Sequence, residues 1–318
     1  MTLMLLLWGL LASILLALSS FSMFSLWICL EINMMMFIPI MNSKSVPSSN
    51  SMLLYFIIQS LASSLFMISF LLLWLNPLFT STFNMLISSA ILMKLGAAPF
   101  HSWFPQVSEG LTYFSFSLLI IFQKMIPLYI LTFSNNFMIL MSIFFSSIIG
   151  SLGGWNQNSL RKIIAFSSIA HLAWMIAIIK IFSHWWLIYF SIYSLIIISL
   201  LSILQNKNIS YLTQISNFSP QTYTLTFIII FLSLGGLPPL LGFAAKWLSI
   251  KIISSSSPAL LFFLVPSSLL NLFFYSRVLY PIIMKMFMKN ESPFLKNKVT
   301  SLWIPLHCFS LFFLIPLI

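Results

Sequence analysis

The segment Leu92–Pro105, LMKLGAAPFHSWFP, decides how the rest of the chain is interpreted. It places Lys94 inside a long apolar stretch, and a Gly-Ala-Ala-Pro sequence begins two residues after that lysine. A helix in a bilayer rarely carries a charge at mid-depth, and it interrupts its hydrogen bonds only where the backbone lines an internal site. The two features together predict an interrupted membrane helix at a buried site for protons or ions.

The composition of the chain is that of a membrane protein. Of its 318 residues, 60% are hydrophobic and 5% are charged, whereas soluble domains carry about 25% charged residues. The net charge of +11 forms no basic face, so a nucleic-acid partner is not expected. Cys29 and Cys308 are too few and too far apart for a disulfide framework or a metal site. We therefore predict a single membrane domain over residues 1–318.

Apolar runs divide the chain into eleven predicted spans, mostly near or above the ~20 residues that a helix needs to cross a bilayer. They are 3–20, 22–41, 51–75, 82–105, 113–132, 136–153, 161–181, 185–205, 224–254, 258–280 and 301–317. No basic residue precedes the first run, so we interpret it as a helix rather than a signal peptide. The strands of a membrane β-barrel would be about half as long as these runs. We therefore predict an all-α polytopic membrane protein.

A second interruption lies in the ninth span, where Gly235–Gly242 reads GGLPPLLG and Lys246 follows. Two prolines and three glycines in this segment cannot continue a regular helix. The interrupted spans are the fourth and the ninth, which predicts two inverted five-helix repeats over approximately 1–133 and 134–280. The C-terminal helix 301–317 stands outside this symmetry.

Basic residues predict the orientation. The loops after even-numbered spans hold Lys44, Arg161, Lys162, Lys207, Lys285, Lys289, Lys296 and Lys298. The loops after odd-numbered spans hold Lys180 and Lys251, both at helix ends. By the positive-inside rule the even-numbered loops and the N-terminus face the inside, and the C-terminus faces the outside.

Once charges in loops and at helix ends are set aside, Glu31, Lys94, Lys124 and Lys246 remain within the predicted spans. His171, near the middle of its span, joins them. A charge at the centre of a membrane helix costs about 2.5–3.5 kcal/mol on insertion scales, so it must be paired, hydrated or neutral. Glu31 is the mid-span anion, and we expect it to pair with Lys94. Burial disfavours the charged form of an amine, which lets an unpaired lysine exchange its proton. The pattern predicts a lateral proton relay.

The helix interruptions add an electrostatic prediction. A half-helix that ends near Gly96 turns the negative end of its dipole toward Lys94 and favours a cation there. Lys246 lies near the start of a half-helix, where the positive end of the dipole would disfavour a cation.

Each residue also has a simpler explanation. In that simpler explanation, the amines of the three lysines would reach out to a membrane interface, and Glu31 would form a structural salt bridge without proton transfer. His171 and His101 would form hydrogen bonds between packed helices. Arg161 and Lys162 would only set the orientation of the chain.

Four motif blocks resemble one family. MKLGAAPFHSWFPQV (Met93–Val107), QKMIP (Gln123–Pro127), GGWNQNSLRKIIAFSSIAHLAWM (Gly153–Met175) and GGLPPLLGFAAKW (Gly235–Trp247) occur in the same order in the chain 2 subunits of mitochondrial NADH:ubiquinone oxidoreductase, respiratory complex I. The resemblance covers roughly residues 27–250. Gln106 and Phe122 depart from the usual glutamate and tryptophan of that family.

The resemblance implies an antiporter-like core subunit of the membrane arm, related to Mrp-type cation/proton antiporter subunits. Such a subunit couples NADH oxidation and ubiquinone reduction, performed in other subunits, to proton pumping. Glu31 and Lys94 resemble the glutamate–lysine pair of the family, Lys124 its central relay lysine, and Lys246 the lysine of its second broken helix. His171 joins them as a further relay candidate.

The resemblance also implies cofactors, partners and location. This chain would hold no cofactor, and other subunits would bind NADH, FMN, the iron–sulfur clusters and ubiquinone. Expected partners are an adjacent antiporter-like subunit, the small three-helix subunit, accessory subunits, and phospholipids including cardiolipin. The expected location is the mitochondrial inner membrane, with the N-terminus in the matrix and the C-terminus in the intermembrane space.

Two other functions remain open at this point. A self-standing cation/proton antiporter would use the same buried residues. A structural membrane-arm subunit that conducts nothing would also carry the same spans. Physical chemistry alone does not separate these three interpretations.

Overall fold

A computed structural model of the chain describes residues 1–75, 77–181, 184–217, 221–288, 303–305 and 307–308. Its α-helices are α1 (Thr2–Ser19), α2 (Met23–Met41), α3 (Val46–Leu75), α4 (Thr80–Leu95), α5 (Trp103–Gly110), α6 (Tyr113–Leu131), α7 (Phe137–Gly153), α8 (Leu160–Lys180), α9 (Trp186–Lys207), α10 (Gln221–Gly235), α11 (Leu241–Ser256) and α12 (Pro258–Met288). Within these ranges β-structure is limited to one isolated bridge, between Ser159 and Tyr211. The prediction of an all-α protein is confirmed.

Among the described residues, seven helices are long and apolar enough to cross a membrane by length and composition. They are α1, α2, α3, α6, α8, α9 and the Pro258–Lys285 part of α12. Two shorter apolar helices, Phe137–Gly153 and Tyr223–Gly235, lie between them. The prediction of a multi-pass membrane protein is therefore confirmed.

Helices α3 and α12 extend beyond their predicted spans by five residues or more. Helix α3 begins at Val46 rather than at residue 51, because Ser45 and Ser48 exchange backbone-to-hydroxyl hydrogen bonds of 3.2 and 3.4 Å that cap its first turn. Helix α12 continues through Pro281 to Met288, since a membrane helix tolerates proline when neighbouring groups satisfy the freed carbonyls.

The predicted C-terminal helix is the one span that cannot be compared in full. Most of residues 301–317 lie outside the described residues, as do Lys289, Lys296 and Lys298.

Both predicted interruptions are present. Helix α4 ends at Leu95 and Gly96 adopts a left-handed φ of 67°. Helix α10 ends before Gly236, whose φ is 77°. Left-handed backbone favours glycine because a Cβ atom would clash with the chain. A cis X-Pro bond follows in each interruption, at Pro99 and Pro239.

The centre of the bundle is α8. It is almost entirely buried, and it packs against α5, α6, α7, α9, α11 and α12. The closest approach is to α7, where a Cβ added at Gly150 would lie 2.6 Å from the backbone nitrogen of Ala170. Small residues allow such close helix packing in membranes. This position places α8, which carries His171, against α6 with Lys124 and against α11 with Lys246.

Candidate functional site

Lys94 lies in the last turn of α4 and its residue is 6% exposed. The carbonyl oxygens at this helix end lack partners within the helix. Two neutral side chains donate hydrogen bonds to these carbonyls. Trp103 Nε1 donates to Met93 O at 3.1 Å, and Gln59 Nε2 donates to Lys94 O at 3.2 Å. The last turn of a helix favours a cation, and Lys94 occupies the position that the sequence predicted.

Glu31 lies on α2 and is half-buried. Its carboxylate interacts electrostatically with Lys94. The direct salt bridge that we expected does not form in the described part of the chain, where the ion pair observed is Lys162–Glu109. The reason is that α2 packs mainly on α1, α3 and α6 rather than on α4. Glu31 and Lys94 are thus neighbours without contact.

Lys124 lies in the middle of α6 and is 2% exposed. Its Nζ is buried, and among the described residues it has no hydrogen-bond acceptor. The nearest favourable group is the ring of Phe104, whose centroid lies 4.7 Å from Nζ. Phe104 is in the first turn of α5. A Cβ atom added at Gly96 would lie 3.0 Å from the Cβ of Phe104. The glycine of the interruption therefore leaves room for the ring that contacts Lys124.

Lys246 lies in α11 and is 7% exposed. Its Nζ donates a hydrogen bond of 2.7 Å to the carbonyl of Gly235, the last residue of α10. The prediction that Lys246 meets the positive end of a half-helix is therefore wrong. Its long side chain reaches back across the interruption to the negative, C-terminal end of the preceding half-helix, which favours a cation.

His171 lies in α8 between two of the lysines. It interacts electrostatically with both Lys246 and Lys124. Its Nδ1 is 2.8 Å from the hydroxyl of Tyr189, and the ring of Tyr193 lies 4.8 Å away between centroids. Its Nε2 is buried without a partner in the described part of the chain. His171 thus links α8 to α9 through a hydrogen bond at Nδ1, while its Nε2 remains without a hydrogen-bond partner among the described residues.

The burial of the three lysines contradicts the interpretation that they snorkel to an interface. Each amine lies inside the protein, at an exposure of 7% or less. Two groups emerge from the geometry. Glu31 and Lys94 form one, and Lys124, His171 and Lys246 form the other.

Arg161 and Lys162 have a structural partner beyond their expected role in orientation. Lys162 Nζ is 2.7 Å from Glu109 Oε1, and Arg161 Nη1 donates to the carbonyl of Glu109 at 2.8 Å. The guanidinium of Arg161 also lies 4.7 Å from the ring centroid of Tyr113. These contacts anchor the C-terminal end of α5 to the start of α8.

His101 Nδ1 lies 3.2 Å from the carbonyl of Pro99, within the interruption.

Neutral polar residues near the lysines were missed because the sequence search was restricted to ionisable groups. Asn33 follows Glu31 by two positions, Gln123 precedes Lys124, and Tyr55 and Gln59 lie on α3. Amides within apolar spans are the signal that would have found Asn33, Gln59 and Gln123, since buried amides require partners. For metals, no cluster of three or more His, Cys or Glu side chains was found in the residues that the structure describes.

A family model described as NADH:quinone oxidoreductase/Mrp antiporter, transmembrane, matches residues 20–271. The chain belongs to this family. NADH-ubiquinone oxidoreductase chain 2 of Anopheles gambiae is 42% identical over 302 residues, which cover 90% of this chain and 87% of the relative. The family resemblance predicted from the four motif blocks is thereby confirmed.

Solved structures agree on the fold. A chain of respiratory complex I from Thermus thermophilus with bound aureothin aligns with a TM-score of 0.85 at 20% identity, over 98% of this chain and 77% of that chain. A chain of the Mrp complex from Dietzia sp. DQ12-45-1b aligns with a TM-score of 0.73 at 17% identity, over 92% of this chain and 62% of that one. The chain is an antiporter-like membrane subunit of the complex I family.

One prediction concerns Phe104, the ring next to Lys124. Cation–π contacts contribute about 0.5–2 kcal/mol, so Phe104→Leu should slow proton translocation about threefold or more, whereas Phe104→Trp should retain most of it. Phe116→Leu is the matched control, because Phe116 is equally buried and has no cation over its ring in the described residues. Proton uptake per assembled complex, measured with a pH-sensitive dye, checks this. Equal losses in Phe104→Leu and Phe116→Leu would mean that only packing volume matters.

Proposed function

We propose that this chain is the proton-translocating, antiporter-like core subunit of chain 2 type in the membrane arm of mitochondrial respiratory complex I. Protons pass laterally through Glu31, Lys94, Lys124, His171 and Lys246. The observation that carries this proposal is the burial of all three amines inside the bundle, each close to another ionisable residue or to a helix end. Such groups are expensive to place in a membrane and mark proton pathways.

The chemistry of the second group supports proton exchange. Nothing among the described residues accepts a hydrogen bond from Lys124 Nζ, so its proton is not fixed by a partner. In the tautomer in which Nδ1–H donates to the hydroxyl of Tyr189, His171 Nε2 carries the lone pair and accepts a proton, and Nε2 has no partner among the described residues. His171 therefore relays between Lys124 and Lys246. We propose that water bridges the gaps between these groups.

The first group supplies the input to this relay. Glu31 favours the ammonium form of Lys94 by simple attraction, and the end of α4 adds to it. Protonation of Glu31 removes that attraction and favours release of the proton of Lys94. The charge state of one carboxylate thus controls the proton occupancy of the lysine beside it.

The architecture that we propose has eleven spans, two inverted five-helix repeats over approximately 1–133 and 134–280, and a C-terminal helix at 301–317. The matched interruptions support the repeats. In both interruptions, a left-handed glycine directly follows a half-helix and lies three residues before a proline. These pairs are Gly96 and Pro99, and Gly236 and Pro239. Interrupted helices in matching positions are typical of inverted-repeat transporters.

The chain acts as part of an enzyme. The complex is the H⁺-translocating NADH:ubiquinone reductase, and this chain holds no redox centre, since NADH, FMN, iron–sulfur clusters and ubiquinone bind to other subunits. Its partners are an adjacent antiporter-like subunit, the small three-helix subunit, accessory subunits and phospholipids including cardiolipin. It lies in the mitochondrial inner membrane, and the distribution of cations supports an N-terminus in the matrix and a C-terminus in the intermembrane space.

Substitutions in the first group test the proposal. Lys94→Met and Glu31→Gln should lower both proton pumping and NADH:ubiquinone activity by at least about tenfold, because proton transfer by a positioned group contributes about 10²-fold or more. The measurement is dye-reported proton uptake together with NADH oxidation in proteoliposomes that hold the whole complex. An unchanged ratio of protons to electrons at normal rates would favour a structural subunit. Exchange of Na⁺ or K⁺ for H⁺ by the isolated chain would favour a self-standing antiporter.

A further inference from the structure

Helix α3 presents two neutral polar side chains to the interior, Tyr55 and Gln59. They stand four residues apart on the same face of the helix and are 1% and 5% exposed. Ser63, one turn further along this face, bonds to a carbonyl of its own helix, at 2.8 Å from Ser60 O. Tyr55 and Gln59 instead bond to other helices. This difference separates them from the serines of α3.

Gln59 holds the turn that carries Lys94. Its Nε2 donates to the backbone carbonyl of Lys94 at 3.2 Å. That carbonyl is one of the last four of α4, which lack an N–H donor within the helix. The end of the half-helix is therefore fixed to α3 at the residue that the proposed relay uses.

Tyr55 holds the segments that carry Lys124 and Glu31. Its hydroxyl donates to Gln123 Oε1 at 3.1 Å, and Gln123 Nε2 donates to Asn33 Oδ1 at 3.2 Å. Because one end of the Gln123 amide accepts and the other end donates, its orientation is fixed. Gln123 immediately precedes Lys124 on α6, and Asn33 follows Glu31 by two positions on α2.

We propose that Asn33, Tyr55, Gln59 and Gln123 form a positioning network that holds Glu31, Lys94 and Lys124 at fixed separations. The inference rests on the proposed function. Amides do not exchange protons as lysines and carboxylates do, so the network does not carry protons itself. It sets the geometry, and a displacement of about 1 Å in a reacting group costs on the order of 100-fold in rate.

The test uses Tyr55→Phe and Gln59→Met in the assembled complex. Each removes a hydrogen bond between helices and preserves the volume of the side chain. We expect NADH:ubiquinone turnover and proton uptake per assembled complex to fall about three- to tenfold, while the amount of assembled complex stays within about twofold of the unmodified protein. Tyr55→Phe removes a single oxygen atom, so it decides the question even if Gln59→Met fails to assemble.

Two controls separate positioning from folding. Ser63→Ala removes a hydroxyl from the same buried face of α3, and Tyr113→Phe removes a buried hydroxyl that donates to the carbonyl of Ile209. Both should leave turnover per assembled complex unchanged. If Tyr55→Phe lowers only the amount of complex and leaves its turnover normal, the residue is structural and the inference is overturned.

A double-mutant cycle tests whether the residues act as one network. Tyr55→Phe combined with Gln123→Met should be no slower than the slower single variant, because both remove the same hydrogen bond. Losses that multiply would overturn the network. If Lys94→Met leaves proton pumping intact, the proposed function fails; if Lys94→Met abolishes pumping while Tyr55→Phe and Gln59→Met keep normal turnover, only this inference fails.

Discussion

Lys124→Met is expected to abolish proton translocation while leaving the complex as stable as before or more stable. Lys124 Nζ is buried and lacks a hydrogen-bond acceptor in the described part of the chain, so the protein gains no bond from it. A buried amine without a hydrogen-bond acceptor costs more stability than the ring of Phe104 returns, and a well-packed apolar group of similar length removes that cost. General acid–base groups contribute about 10²- to 10⁴-fold to rate, so proton uptake and coupled NADH oxidation should fall at least ~100-fold.

Turnover falls while stability does not, which distinguishes a relay residue from a structural one. The thermal midpoint of the purified complex and the turnover per assembled complex are measured on the same preparation. Lys251→Met is the matched control, because Lys251 is exposed and lies over the ring of Trp247 at 5.7 Å rather than inside the bundle. Should Lys124→Met retain more than about a third of the normal turnover, Lys124 is not an obligatory member of the relay.

The helices and their interruptions were readable from the sequence because each depends on local properties. Apolar runs set the helices, and the glycine and proline pairs around Gly96 and Gly236 set the breaks. The extension of α12 beyond Pro281 was missed, since the effect of proline in a membrane depends on what satisfies the freed carbonyl. The start of α3 depended on which of several serines provides the cap.

The candidate residues of the site could be chosen from the sequence, but their contacts could not. The ionisable residues stand out because charges are rare in the spans. Whether Glu31 touches Lys94 depends on which helices pack together, and the sequence does not contain that information for α2 and α4. The direction of the Lys246 side chain depends on the hydrogen bond that its Nζ forms with the carbonyl of Gly235, on the other side of the interruption between α10 and α11. The network through Gln123 depends on three helices meeting at one amide.

Gly236→Ala is expected to disable the second half of the relay without removing an ionisable group. Gly236 has a φ of +77°, where a Cβ atom costs about 1–2 kcal/mol. That Cβ would lie 2.7 Å from Lys246 Cδ and 3.1 Å from its Nζ, so the Lys246 side chain must shift, and we expect its amine to move off the carbonyl of Gly235. A displaced relay amine loses about tenfold or more in transfer rate, and proton uptake per assembled complex should fall accordingly.

The neighbouring glycine provides the control. At Gly235 the nearest atom to an added Cβ is 3.5 Å away, an ordinary van der Waals contact, so Gly235→Ala should pump normally. If the loss acts through Lys246, adding Gly236→Ala to Lys246→Met changes nothing further. A further loss in that double variant would instead place the effect in the backbone of the interruption.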